Sequence, residues 1–240
     1  MAENLIPIEK NFFLFLNSPH TPFLDSFFYT ISQAHVWVIF GLALIFISSY
    51  RQKVPEVLCF LLFIGLLIFL TDRISSGIFK PFFQRLRPTH HPSTMYLVKT
   101  VLDYKGGMYG FISSHAANFM AVGIYLALVV RDKLFSVAIL ILMVTVSYSR
   151  IYLGVHFVTD VLGGFVIACL TAPFVYYLYR NARHVFVHVP YPETKVPYFR
   201  PLAHRKKMFT LLVCLFYIAV LIVSPALMHL YRTDIFASRL

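Results

Sequence analysis

The chain has 240 residues, 59% hydrophobic and only 13% charged, with a net charge of +11. A soluble domain would carry about a quarter charged residues, so this composition, with a mean hydropathy of +0.73, excludes a soluble protein and predicts an all-α integral membrane protein. The positive charge would suggest nucleic acid in a soluble chain, but there is no soluble basic domain to read it, and the charge reads instead as loop charge attracted to anionic lipid.

Met1 to Pro7 has no basic stretch and no small-residue cleavage site, which predicts no cleaved signal peptide. Residues 5–17 place Ile8, Phe12, Phe15 and Leu16 on one helical face. That stretch is short for a span, which needs ~20 residues, and predicts an N-terminal amphipathic helix at the interface. Residues 22–33 mix Phe23, Leu24, Phe27 and Phe28 with Asp25, Ser32 and Gln33, so residues 1–33 are expected to form interfacial helices.

Six transmembrane helices are predicted after them, at about 34–50, 56–79, 111–130, 134–150, 157–179 and 208–228. The segment 81–110 holds Pro81, Pro88, Pro92, Gly106, Gly107 and Gly110 and predicts a loop. A basic loop is expected over 180–207, with Arg180, Arg183, Lys195, Arg200, Arg205, Lys206 and Lys207. No repeat or low-complexity tract interrupts the pattern, and residues 1–240 read as a single membrane domain. Cys59, Cys169 and Cys214 each lie in an apolar run and read as small buried hydrophobes. The pair His90 and His91 reads as part of a solvated loop and has no acid or cysteine at ligand spacing. No metal and no cofactor is expected.

Eleven of the 21 Lys and Arg fall in the loops after spans one, three and five. Of the other ten, Lys80, Arg87 and Arg150 read as functional, and Arg73 lies within a span. The positive-inside rule then sends 50–56, 131–133 and 180–207 to the cytoplasm and 80–110 and 150–157 to the outside.

Three polar clusters fall on that outer face. The first is Lys80 to Pro88, at the end of span two. The second is Phe111 to His115, at the start of span three. The third is Ser149 to Asp160, between spans four and five. Charge beside hydrocarbon is expensive and usually functional. His156 and Asp160, four residues apart, share one helical face, so the carboxylate can hold one imidazole nitrogen and leave the other free to react. Lys80, Arg87 and Arg150 specify an anion, and arginine forks match phosphate oxygens, whereas Arg85 reads as an ordinary interfacial cation. Ser113, Ser114 and the N-terminus of span three add donors. A phosphoester neutralised there can be attacked in line by a neutral imidazole, while a second histidine serves the leaving oxygen and then the water.

These residues resemble the type 2 phosphatidic acid phosphatase (PAP2) superfamily. The resemblance rests on Lys80, then six residues, then Arg87-Pro88; on the Ser113–His115 cluster; and on Ser149-Arg150, then His156, then Asp160. It implies that His156 is the nucleophile, that Asp160 orients it and that His115 is the general acid. It also implies that Lys80, Arg87, Ser113, Ser114 and Arg150 bind phosphate. The second cluster departs from the usual Pro-Ser-Gly-His, with Ile112 for Pro and Ser114 for Gly, which bears on the local turn. The expected activity is metal-independent hydrolysis of a lipid's terminal phosphate at the outer, periplasmic face of a bacterial inner membrane. The expected partners are the lipid phosphate and surrounding membrane lipids, with no nucleic acid. Candidate substrates are lipid A phosphates, undecaprenyl pyrophosphate, phosphatidylglycerol phosphate and phosphatidic acid. The wording Ser113 to Asn118 resembles Gram-negative members and tilts the expectation towards lipid A. The alternatives are a lipid phosphotransferase and, from another class, a lipid transporter or flippase, which the lack of repeated halves disfavours.

Overall fold

The computed structural model describes residues 7–50, 52–187 and 203–237. A backbone in hydrocarbon must satisfy its own polar groups, which leaves helices as the solution for a single apolar chain. Helices α1 (Pro7–Asn17), α2 (Pro22–Ser32), α3 (Ala34–Ser49) and α4 (Val54–Asp72) come first. A π-helical segment (Arg73–Phe79) leads from α4 into the single turn α5 (Lys80–Phe83). Then follow α6 (Ser114–Val130), α7 (Lys133–Tyr152), α8 (Val158–Phe186) and α9 (Ala203–Ala237).

Among the described residues, four stretches are long and apolar enough to cross a membrane: Val54–Phe83, Lys133–Tyr152, Val158–Phe186 and Lys206–Thr233. The bent pair α2–α3, turning 59° at its break, adds a fifth if it counts as one span. The protein is therefore a multi-pass helical membrane protein with four to five such spans. Helix α6, at 17 residues, is shorter but apolar.

Helix α6 occupies the middle, packed against α4, α7 and α8. Its approach to α8 is made by small residues: the fully buried Ala116 and Ala117 lie against Gly164, where an added Cβ would stand 3.3 Å from Ala116 Cβ and 3.0 Å from the Ala117 nitrogen. Small side chains let membrane helices approach closely, where dispersion rather than water drives association. Large apolar residues such as Ile39, Leu62, Leu170 and Ile222 point outward, as a lipid-facing surface requires. At the end of the bundle away from Lys80, Arg183 on α8 donates its Nε to Glu56 Oε1 on α4 at 2.8 Å, and its guanidinium lies over the Tyr179 ring.

Several sequence expectations change. Helix α8 runs on to Phe186, so Arg180 and Arg183 are helical residues, because Glu56 neutralises Arg183 from across the bundle. The remaining loop expected there, residues 188–202, lies outside the described residues, as do Met1 to Ile6. Helix α2 buries Ser26, Phe27, Phe28, Thr30, Ile31 and Ser32 against α7 and α9, so it is a packed element and not a surface-lying one. On α1, Ile8 (79% exposed) and Phe15 (70%) do face outward, but Phe13 and Asn17 are buried. Cys59 is buried as expected, whereas Cys169 and Cys214 are exposed on the outer surface of the bundle.

Candidate active site

The end of the α4–α5 rod, the N-terminus of α6, the C-terminus of α7 and the N-terminus of α8 meet at one end of the bundle. The three polar clusters of the sequence lie at these termini, the third divided between the end of α7 and the start of α8. The π-helical segment shifts the register late in α4, and Lys80 emerges with Nζ 2.6 Å from Ser114 Oγ on α6. Ser76 ties the same point to Asp72, donating to Asp72 Oδ1 at 3.0 Å and lying 3.0 Å from Ser114 Oγ. The Asp72–Ser76–Lys80 spacing thus forms a connected row.

Ser113 is the N-cap of α6. Its buried Oγ accepts from the Ala116 N–H, its own N–H donates to the Asp160 carbonyl at 3.0 Å, and its hydroxyl proton remains available to donate. In the first turn of α6, His115 packs its ring on Phe119, 4.6 Å between centroids. The buried His115 Nε2 has no hydrogen-bond partner among the described residues. Arg87 is buried, with Nε donating to the Tyr109 carbonyl at 3.0 Å and Nη1 to the Val155 carbonyl at 3.4 Å. Arg150, 6% exposed, donates from Nη2 to the Tyr104 hydroxyl at 3.1 Å. Its Nε has no partner among the described residues.

The turn from α7 to α8 places the last pair. Gly154 sits at φ +74°, and a Cβ there would stand 2.5 Å from Val98 Cγ2 and 2.8 Å from the Lys99 carbonyl, so this turn demands glycine on two counts. It delivers His156 into the interior, 2% exposed, with Nδ1 3.3 Å from Asp160 Oδ2. Asp160, fully buried, sits in the first turn of α8, where a carboxylate is favoured by the helix dipole, and accepts from the Phe157 N–H at 2.9 Å. Gly110 closes over this carboxylate so tightly that a Cβ would lie 2.9 Å from Asp160 Oδ2.

Burial holds the His156 ring well below the ordinary histidine range, and the charges of Arg87, Arg150 and Lys80 push it further down; a backbone hydrogen bond to Gly110 opposes them. The imidazole is therefore neutral near pH 7. Arg87 is lowered first by its own burial and then by the charge of Arg150. Burial alone would raise the Tyr104 phenol, but Arg150 and Arg87 bring it below its usual value.

All eight residues singled out from sequence thus lie at one end of the bundle. Three further residues join them. Tyr104 reaches Arg150. Arg85, expected to be an interfacial cation, instead donates to Asp160 Oδ1 at 2.9 Å and to Glu9 Oε2 at 2.7 Å. Glu9 comes from α1. Periodicity could not reveal these, because their partners are distant in sequence. His91, expected in solvent, is buried and takes hydrogen bonds from Ser93.

A multi-pass helical membrane protein that gathers a histidine–aspartate pair and three cations at one end can receive an anion there. Residues 56–184 match the PAP2 superfamily, more than half of the sequence, and the chain belongs to that superfamily. It is 41% identical over 181 residues to a lipid A 4'-phosphatase of Porphyromonas gingivalis, covering 75% of this chain and 77% of that one. It is 33% identical over 170 residues to a lipid A 4'-phosphatase of Bacteroides thetaiotaomicron, covering 70% and 75%. The fold is similar to the crystal structure of a transmembrane PAP2-type phosphatidylglycerolphosphate phosphatase from Bacillus subtilis, with a TM-score of 0.53 and 23% identity over 71% of this chain and 84% of that one.

Proposed function

We propose that this chain is a lipid phosphatase that removes the 4'-phosphate of lipid A, without a metal, through a phosphohistidine on His156. The observation that carries the chemistry is a buried, neutral His156, backed by Asp160 and acted on electrostatically by Arg87, Arg150 and Lys80. The likeness to two lipid A 4'-phosphatases supports the substrate.

The cations take the phosphoryl oxygens, with hydrogen bonds from Ser113 and Ser114. The His156 nitrogen turned away from Asp160, Nε2, attacks phosphorus in line. The bond to the lipid oxygen breaks, and that oxygen leaves with a proton from His115. Water, giving a proton back to His115, then opens the phosphorus–nitrogen bond and releases inorganic phosphate. Arg87 and Arg150, held in place by the protein, stabilise the charge spread over the phosphoryl oxygens in the transition state. Asp160 holds His156 in one tautomer and compensates the positive charge that develops on it.

An apolar cleft of about 400 Å³, lined by Trp37, Phe40, Leu44, Leu61, Ile64 and Phe119 among others, begins beside the ring that packs on His115. It suits acyl chains lying in the bilayer while the headgroup reaches the histidines. We take α6 as a sixth crossing: its 17 residues span about 26 Å at 1.5 Å per residue, near the ~30 Å of a hydrocarbon core. The α2–α3 pair then serves as the first. The loop charge opposite the site supports a cytoplasmic location for that end and a periplasmic active site, with the whole chain acting as one domain in a bacterial inner membrane.

The test uses purified protein with lipid A, undecaprenyl pyrophosphate, phosphatidylglycerol phosphate and phosphatidic acid, in excess chelator, measuring free phosphate. Release fastest from lipid A and absent in His156→Ala is expected. Full hydrolysis by His156→Ala would remove the nucleophile. Transfer of the phosphate to a second lipid would make the enzyme a phosphotransferase, and lipid movement without phosphate release would make it a transporter.

A further inference from the structure

We propose that Arg85 and Glu9 are positioning residues for the reactive pair: α1 reaches across the site and, through Arg85, fixes the carboxylate that holds His156. Asp160 must present one oxygen to an imidazole, and a carboxylate turns readily about its last torsion. Its Oδ2 is engaged by the Phe157 N–H at 2.9 Å and by His156 Nδ1 at 3.3 Å. Its Oδ1 is held by Arg85 Nη1 at 2.9 Å. With both oxygens anchored, the carboxylate plane is set, and with it the imidazole.

Arg85 is itself fixed on three sides. Nη1 also reaches Thr159 Oγ1 at 2.6 Å. Nη2 donates to Glu9 Oε2 at 2.7 Å. The guanidinium lies 4.7 Å from the centroid of the Phe157 ring. Glu9 in turn accepts from the Thr159 hydroxyl. The Arg85 and Glu9 side chains are only 11% and 13% exposed, so water screens the pair little. Behind them, α1 is anchored to the core by Phe13, edge-on to the same Phe157 ring at 5.2 Å. The Gly110 N–H donates to the Arg85 carbonyl at 2.8 Å, joining the segment that supplies Arg85 to the glycine that covers Asp160.

The same contacts argue against Arg85 as a phosphate clamp. It stands between two carboxylates, Glu9 and Asp160, which more than cancel its charge. Its fork is turned to the side of Asp160 away from His156. Its influence on catalysis therefore passes through Asp160.

This inference rests on His156 as the nucleophile, and the experiment separates the two. His156→Ala, Arg85→Gln, Arg85→Lys and Glu9→Gln are purified, their melting temperatures compared, and kcat and KM measured with a lipid phosphate. Loss of an outer partner that orients a reactive group costs about 10- to 100-fold in activity. Arg85→Gln should lose at least about tenfold in kcat with KM within about twofold of the parent. Arg85→Lys, which keeps a donor for Oδ1, should recover part of it, and Glu9→Gln should lose a smaller part. His156→Ala should be inactive; if it hydrolyses substrate, the nucleophile reading fails and this inference with it. If His156→Ala is inactive yet Arg85→Gln keeps its kcat, or raises KM alone as a substrate-binding cation would, the positioning role is wrong. Should Arg85→Gln fail to fold, Arg85→Lys and Glu9→Gln decide: unchanged kcat in both overturns the proposal.

Discussion

Taking His156 out of water and setting it among Arg87, Arg150 and Lys80 both disfavour its protonated form. The consequence for pH has a definite sign. The folded protein holds the neutral ring more strongly than the unfolded chain does. The stability this contributes is present above the ordinary histidine value of ~6.5 and is lost as the pH falls towards the lower folded value. The acid limb of kcat/KM, which reports the empty enzyme, should therefore lie below ~6.5 where His156 sets it. A bound phosphate brings negative charge beside His156 and favours the imidazolium, so the acid limb of kcat should lie higher than that of kcat/KM. Parallel pH profiles of the two constants check this, and a kcat limb at or below that of kcat/KM would contradict it.

The helices carry these residues by their ends, and the ends are fastened by side chains that no periodicity marks. Asn17, at the end of α1, is buried and donates from Nδ2 to the Tyr152 carbonyl at 2.7 Å and the Lys99 carbonyl at 3.1 Å, while its Oδ1 accepts from the Lys99 N–H at 2.8 Å. It thus satisfies backbone groups at the end of α7 and in the loop beside Gly154. Asn17→Ala leaves those groups unpaired in a dry place and should cost about 2 kcal/mol or more, read as a lower melting temperature in micelles. The sequence made the apolar rods and the three polar clusters legible, because hydrocarbon length and Pro-Gly punctuation mark them directly. It also placed His156, Asp160, Arg87 and Arg150 together, since their clusters had to share one face. What escaped it depends on contacts made across the chain. Arg85 looked like an ordinary interfacial cation because its partners lie 75 and 76 residues away. Arg183 looked like loop charge because Glu56, 127 residues distant, neutralises it. The register shift over Arg73–Phe79, which lets Lys80 meet Ser114, has no signature in an otherwise helical run.

At the scale of the molecule, the proposed function has the bilayer hold the substrate's tails while one end of the bundle holds its charge. Gly41 lines the apolar cleft, and a Cβ there meets nothing within 4 Å. Gly41→Phe should therefore fill the cleft without disturbing the fold, raise KM for a long-chain lipid phosphate and leave hydrolysis of a short, water-soluble phosphoester unchanged. Equal losses on both substrates would place the tails elsewhere. A reporter fused within residues 188–202 should report cytoplasm; a periplasmic signal would invert the orientation. The most direct measurement of the chemistry is made on the intact protein in lipid: it is mixed with substrate radiolabelled in the phosphate, quenched in alkali, where phosphohistidine survives, and mapped by mass spectrometry. Label on His156, absent from His156→Ala, is the predicted result. Label on another residue, or hydrolysis in one step with inversion at phosphorus and no labelled protein, would contradict it.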